Sequence, residues 1–373
     1  MPPALAAVPV DIVEVHRVAL RLSTPFRTAH MALDEREIVL VRVAGNDGDG
    51  WGECSALPTS DYPGGDLDSA HRYLLDDLGP HLLHAGTVDP GALPRSGPPT
   101  ARAAVECALL DCALRRVDTS LAAFLGGSRG RVPAGAVLGF ADEPDTAAEA
   151  SDLARRGYGA VKCKIGPGHD VNLLTAVRRA VGPDVALSAD ANGAYNSGNP
   201  AHRATLTEID SMGLTYLEQP VASDDLAGLV ELTRSLETPI LLDESAPTLA
   251  ETTAALDAGA GDAVSVKAPR IGGVLEARRT HDLCVERGIG VVAGGFLESG
   301  IGRAAAVALA SLPGFRAPGD LSASDRYFVA DVTEPFELVD GELTVPNAPG
   351  LGRHPRPGAL RSLAVTTESL RRP

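Results

Sequence analysis

The sequence predicts an α/β barrel with its reactive residues on one rim, preceded by a separate α+β domain. Three observations predict it. Five charged sites recur at nearly even spacing: Lys162-Cys163-Lys164, Asp190-Ala191-Asn192, Glu218-Gln219-Pro220, Asp243-Glu244-Ser245 and Lys267. The successive steps from Lys164 through Asp190, Glu218 and Asp243 to Lys267 are 26, 28, 25 and 24 residues. Each site closes a short apolar run (AVKCKIG, VALSADAN, TYLEQP, ILLDES, AVSVKAP), which Gly, Pro, Asn or Ser then breaks before helical patterning begins. One strand–helix unit of a (β/α)8 barrel takes roughly 30 residues, since about 250 residues make eight. Residues 1–128 lack this period. The five sites therefore read as consecutive strand ends, where such barrels carry their active sites.

In chain order, residues 9–22 alternate apolar and polar as a half-buried antiparallel strand does. Ser23-Thr24-Pro25-Phe26-Arg27-Thr28 carries a loop signal. Residues 37–45 (EIVLVRVAG) form a second strand, and Trp51-Gly52-Glu53-Cys54 begins a third. Residues 66–84, opened by an Asp66 cap, and residues 100–116 have helical period. Residues 132–139 (VPAGAVLG) make the first barrel strand and residues 144–156 the helix after it. Past Lys267, residues 290–295 form a seventh strand, 300–311 a helix and 315–319 (FRAPG) a weak eighth strand. From Pro335 onward, two strands around an Asp340-Gly341 turn are expected to rejoin the N-terminal sheet, followed by a Pro-rich tail.

Apolar residues make up 44% of the 373 and charged residues 22%, which fits a globular chain with a large core. The balance of 33 basic and 49 acidic residues gives −16 and no basic stripe, which argues against nucleic-acid and anionic-membrane partners. An anionic substrate then needs local cations, and the lysines supply them. The five cysteines form no CxxC pair, as expected of reduced thiols in the cytoplasm. The first residues lack the cationic start of a signal peptide, and no apolar run reaches a membrane span.

Asp190, Glu218 and Asp243 place three carboxylates on successive strand ends. Oxygen-only ligands suit a hard cation such as Mg2+, with Mn2+ as a substitute. Taken one at a time, such acids read as N-caps of the following helices; three in register between lysines read as a metal site. Lys162 and Lys164 share one strand face, because side chains alternate, so Cys163 points away into the helix layer. Two ammonium groups so close are expected to lower each other's pKa, which brings a lysine toward general-base range. Lys267 approaches from across the barrel. The constellation suits removal of a proton α to a carboxylate: a lysine takes it, and the metal stabilises the enediolate that results. Proton delivery from the opposite lysine then gives epimerisation, and loss of a β-leaving group gives elimination.

The order KxK, DxN, E, DE, K on successive strands resembles the enolase superfamily, muconate-lactonising-enzyme subgroup, over nearly the whole chain. Four later segments are more specific: GGFLESGIGR (294–303), PGDLSASDRY (318–327), DVTEPF (331–336) and PGLG (349–352). They resemble the o-succinylbenzoate synthase and N-succinylamino acid racemase family. The resemblance implies a modified TIM barrel, (β/α)7β, over residues 129–330, an α+β capping domain over 1–128, and a C-terminal segment, 331–373, that returns to the cap. It implies Asp190, Glu218 and Asp243 as Mg2+ ligands and Lys164 as the base. Lys162 tunes that base and contacts the substrate carboxylate, and Lys267 is the opposing lysine. Substrate contacts are expected from Asn192, Gly294, Gly295, Phe296, Val137, Phe26 and Arg27, with the loop of residues 24–34 closing over the ligand. Glu244 is expected behind the ligands, hydrogen-bonded to a lysine. Lys267 is followed by Ala268-Pro269-Arg270 where relatives often carry Pro-Gly-Arg, and Val137 and Phe296 stand where they often carry Ser and Met.

The implied activity is syn-dehydration to o-succinylbenzoate, a menaquinone-pathway step, with racemisation of N-acylamino acids as the alternative or a second activity of one protein. A cytoplasmic homo-oligomer acting on a small carboxylate is expected. A Schiff-base aldolase using Lys267 is a competing class, which trapping by borohydride distinguishes. A non-catalytic barrel used as a binding scaffold is the other, and it gives no reason for lysines facing inward. Trp51 is expected to pack and Glu53 to lie near the domain interface. Arg303 is a candidate carboxylate contact or helix cap, and His30 a solvated loop residue.

Overall fold

The computed structural model describes residues 5–27, 32–60 and 62–372. The N-terminal sheet begins with strand β1 (Ile12–Arg27), followed by β2 (Ala32–Gly45) and β3 (Gly48–Cys54), all antiparallel. The expected loop at 23–28 is thus strand as far as Arg27, while His30 lies outside the described residues. The strict alternation of β1 and β2 buries both faces rather than one. Val13, Val15, Val39, Val41 and Val43 enter the cap's own core. Val18, Leu20, Ile38 and Leu40, of opposite parity, enter the core shared with the barrel. The sheet is therefore covered by helices at one end and by the barrel at the other.

Helix α1 (Leu67–Tyr73) opens on Asp66, whose carboxylate accepts from Ser69 N–H at 2.8 Å. Removing that cap with Asp66→Ala is expected to destabilise the protein by about 1 kcal/mol with activity unchanged, read as a shift of the denaturant midpoint at constant slope. The helix expected over 66–84 is not continuous. A π-turn spans Leu74–Leu78, where Gly79 N–H reaches back to Leu74 O, before α2 (Gly79–Ala85). Pro80 lacks an amide donor, so the regular ladder fails at that point. Helix α3 (Pro99–Arg116) lies directly on β3. A Cβ at Gly52 would fall inside van der Waals contact with Ala104 O, so only glycine permits this backbone-on-backbone approach.

The first barrel strand is split. Strand β4 (Arg131–Pro133) ends at a proline, and β5 (Ala136–Leu138) begins the parallel sheet. The barrel then alternates α4 (Glu143–Arg155), β6 (Ala160–Lys164), α5 (Val171–Val181), β7 (Ala186–Asp190), α6 (Pro200–Asp210) and β8 (Leu217–Glu218). It continues with α7 (Leu226–Ser235), β9 (Ile240–Leu242), α8 (Leu249–Ala258), β10 (Ala263–Val266), α9 (Ala268–Ile271) and α10 (Val274–Glu286). It ends with β11 (Gly290–Ala293) and α11 (Gly300–Ala310). Seven parallel strands run in the order β5 to β11. The eighth strand expected at 315–319 does not form. That segment makes isolated parallel bridges, Phe315 to Val291 on one side and Gly319 to Ala134 on the other. Pro318 removes a ladder donor and Gly319 offers no side chain to pack, which explains the shortfall.

The hairpin expected to rejoin the N-terminal sheet goes elsewhere. Its second strand, β12 (Glu342–Thr344), pairs antiparallel with β4. The return comes later, where a tail was expected. After a helix at Pro357–Leu363, β13 (Ala364–Arg371) pairs antiparallel along β1 from Val18 to Ile12. Two buried glutamates of the cap also meet barrel helices at their N-termini, where an acid is favoured. Glu106 accepts from Leu275 N–H (3.1 Å) in α10, and Glu53 from Ser299 N–H (3.1 Å) and Gly302 N–H (2.9 Å) at α11. Among the described residues, no helix is long and apolar enough to cross a membrane.

Candidate active site

Period-2 alternation and parallel register assemble the site. Lys164 pairs across the sheet with Asp190, and Asp190 with Glu218, so β6, β7 and β8 end at one level. Asp243 and Lys267 each stand one residue past the ends of β9 and β10. They surround a cavity of about 340 Å3 between barrel and cap. Lys162, Lys164, Asp190, Asn192, Lys267 and Glu244 line it, with Gly295, Phe296, Val137 and Phe26 among its other walls. Glu218 and Asp243 are fully buried just behind it. Asn192 (φ 44°), Gln219 (φ 37°) and Leu297 (φ 54°) hold left-handed backbone near this rim, conformations that persist only where the surroundings impose them.

Each lysine is tied to carboxylates. Lys162 Nζ donates to Glu218 Oε2 and Asp320 Oδ2, both at 2.6 Å. Lys164 Nζ donates to Asp190 Oδ2 and Asn192 Oδ1, also at 2.6 Å. Lys267 Nζ donates to Asp243 Oδ2 and to Tyr62 OH, both at 2.8 Å. The expected mutual lowering of lysine pKa is not what this geometry produces for Lys162. Burial works to lower it, but Asp320, Glu218 and Asp190 outweigh that and hold it well above its usual range. Lys267 is likewise raised: burial opposes its charge, and Asp243 and Glu218 overcome it. Asp243 is held well below the carboxylate range; burial opposes this, and Lys267 and Arg270 decide it. Burial, then the charge of Asp190, pushes Glu218 up to about 8. Burial, then Asp243, pushes Glu244 up to about 7. Cys163 faces the helix layer as expected, its thiol pushed by burial up to about 12.

Several expectations need correction. Glu244 bonds no lysine; its Oε1 accepts from Asn192 Nδ2 at 2.8 Å. Gly294, expected to touch substrate, is not among the residues that line the cavity. A Cβ there would lie 2.6 Å from Lys267 Cγ and nearer still to Cε, so Gly294 is the groove through which the lysine stem passes. Arg27 is exposed, and among the described residues only its backbone is hydrogen-bonded, its carbonyl accepting from Phe140 N–H at 2.8 Å. Arg303 is buried in α11 against Glu298 (3.0 Å) and the Asp320 carbonyl, away from the cavity. Trp51 packs as expected, tilted on His16 and under Arg42. Glu53 is at the domain interface, pushed by burial up to about 7.

Sequence reasoning missed three residues. Tyr62 reaches from the cap and donates to Asp243 Oδ2 at 2.7 Å. Arg270 is fully buried and bonds Asp243 and Tyr62 OH. Asp320 pins Lys162. Arg270 lies three residues after Lys267 and Asp320 inside the quoted segment PGDLSASDRY, so these short spacings were the available signal. Tyr62 carried no local signal at all.

As they stand, no group of three or more acids, cysteines or histidines among the described residues encloses a cation, since the carboxylates are turned onto the lysines. The donor chemistry nevertheless fits a hard cation. Asp190, Glu218, Asp243, Glu244 and Asp320 bring five carboxyl groups to a cluster with four cationic side chains, Lys162, Lys164, Lys267 and Arg270. Glu218 Oε1 is also buried without a hydrogen-bond donor, a cost of about 1–3 kcal/mol that a cation would relieve.

A seven-stranded parallel barrel under an antiparallel cap, with acids and lysines on successive strand ends, is the design of an enolase-superfamily enzyme. Residues 11–126 match the mandelate racemase / muconate lactonizing enzyme N-terminal domain, and residues 145–359 the enolase C-terminal domain-like family. The chain belongs to the mandelate racemase / muconate lactonizing enzyme family. It is 43% identical to an N-succinylamino acid racemase of Amycolatopsis sp, over 93% of this chain and 95% of that one. It is 36% identical to the o-succinylbenzoate synthase of Bacillus subtilis, over 92% and 93%. A solved enolase-superfamily structure from Listeria innocua superposes with a TM-score of 0.91 at 31% identity, covering 98% of this chain and 99% of that chain. Proton abstraction assisted by Mg2+ is general in this family.

Proposed function

We propose that the protein removes the proton α to a substrate carboxylate, with syn-dehydration to o-succinylbenzoate as the main reaction and a role in menaquinone biosynthesis. The observation that carries this reading is the pair Lys164 and Lys267, which line one cavity from well-separated strands beside three buried carboxylates. Asp190, Glu218 and Asp243 would hold Mg2+, or Mn2+ in its place. A divalent cation there offsets the negative charge that grows on the substrate carboxylate as the α-proton leaves.

The chain's own residues account for the proton traffic. Lys162 keeps its charge among Asp320 and Glu218 and is suited to hold the substrate carboxylate, not to act as base. Lys164, aimed by Asn192 Oδ1, takes the α-proton in its neutral form. It then returns that proton to the β-hydroxyl leaving on the same face, which departs as water. Lys267 presents an ammonium to the opposite face. Phe26, Val137 and Phe296 wall out water, which strengthens these interactions.

A second reading, racemisation of N-succinylamino acids, is favoured by the same two lysines and by the racemase relative. Two assays on one Mg2+-loaded sample test both. They measure dehydration of the succinyl-hydroxycyclohexadiene carboxylate and α-hydrogen exchange of N-succinylamino acids in D2O. Dehydration far faster than exchange is the expected result; the reverse makes racemisation the main activity. Neither reaction, in a protein that still binds Mg2+, refutes both substrates. Stripping the divalent ion with a chelator is expected to abolish turnover, and Mn2+ to restore it. Borohydride with substrate present is expected to leave the activity intact. The buried free cysteines support a reducing, cytoplasmic setting for this chemistry.

A further inference from the structure

Phe296 walls the cavity beside Lys267, its ring edge-on to Tyr62 at 5.3 Å and 6.0 Å from Lys267 Nζ. Its backbone is held at both ends. Its N–H donates to Glu298 Oε1 (2.9 Å), and its carbonyl accepts from Arg36 Nη2 (3.3 Å). Leu297 follows at φ 54°, a left-handed conformation that strains a non-glycine residue and must be held in place.

Arg36 stands on β2 of the cap, and its side chain is fully buried without lining the cavity. Every hydrogen bond it makes goes to a backbone carbonyl: Glu37, Ser55, Ala56 and Phe296. Among the described residues no carboxylate bonds it directly. A buried guanidinium without a bonded anion is costly, so this one needs a structural return. What it achieves is a tie between the end of β3 and the segment after β11. Glu53 ties the same two regions through Ser299 and Gly302. The cap therefore grips the chain on both sides of the Phe296–Leu297 step.

We infer that Arg36 is a positioning residue for substrate choice: by fixing the Phe296 backbone from the cap, it sets how large a substrate side chain the cavity accepts. The inference rests on the proton-transfer reading of the cavity. Its test uses Arg36→Met and Arg36→Lys, alone and with Phe296→Ala. The readout is exchange of N-succinyl derivatives of alanine, valine and phenylalanine in D2O. Arg36→Met is expected to shift the kcat/KM ratio of the phenylalanine to the alanine substrate roughly tenfold, through KM more than kcat. In the Phe296→Ala background that shift vanishes. An equal loss on all three substrates, or a shift that persists without the Phe296 ring, overturns the inference. Should Arg36→Met not fold, Arg36→Lys carries the same comparison with the charge retained. A crystal structure of Arg36→Lys gives a readout independent of substrate. A ring displaced from Tyr62 supports the role even if none of the three compounds is turned over, which would count against the racemisation reading instead. An unmoved ring overturns the inference.

Discussion

Lys164→Ala loses dehydration together with α-proton exchange of the enantiomer whose hydrogen faces Lys164, with kcat/KM falling by roughly 10²–10⁴-fold, the usual contribution of a positioned base. The protein stays folded, because Lys164 borders the cavity and leaves Asp190 with Lys162 3.6 Å away. Lys267→Ala behaves differently. It removes proton exchange for one N-succinylamino acid enantiomer and spares the other, whose α-hydrogen faces Lys164. The two variants, each assayed with both enantiomers by NMR in D2O, therefore give mirror-image losses. Normal exchange of both enantiomers by Lys164→Ala would show that the base lies elsewhere.

Gly294→Ala is the smallest change expected to disable the site. The added methyl cannot coexist with the Lys267 stem, whose Cγ would lie 2.6 Å away, or with Ser265 Oγ at 2.7 Å. Lys267 must swing out, and its ties to Asp243 and Tyr62 break. Misplacing a catalytic group by about 1 Å can cost about 10²-fold in rate. Exchange at the Lys267 face is expected to fall by that order while the Lys164 face keeps most of its rate. Overpacking of about 1–3 kcal/mol should also lower the melting temperature. An equal loss at both faces would mean that the methyl distorts the whole rim.

The rim was readable because strand parity and a constant repeat are local properties. Once Lys164, Asp190 and Glu218 are known to end apolar runs some 26 and 28 residues apart, barrel register does the rest. Features set by tertiary partners were not readable. Nothing around Tyr62 says that a cap loop delivers its hydroxyl to Asp243. Residues 364–371 gave no strand signal, because the strand they form is exposed on most of its length and its order comes from β1. Residues 315–319 showed the opposite error: an apolar start suggested a strand, but proline and glycine left only two bridges. The lysine pKa expectation failed for a related reason. Spacing brings Lys162 and Lys164 together, but Asp320, far away in sequence, sets the field around Lys162.

The pairing of β13 with β1 has a consequence for biogenesis. The first long strand of the chain waits for a partner that is translated some 340 residues later. During synthesis the edge of β1 stays open while the whole barrel emerges, and an open edge is a template for intermolecular pairing. A nascent chain stalled before residue 364 should therefore be more prone to aggregate than the finished one, and its survival should depend on whatever holds that edge until the last strand arrives.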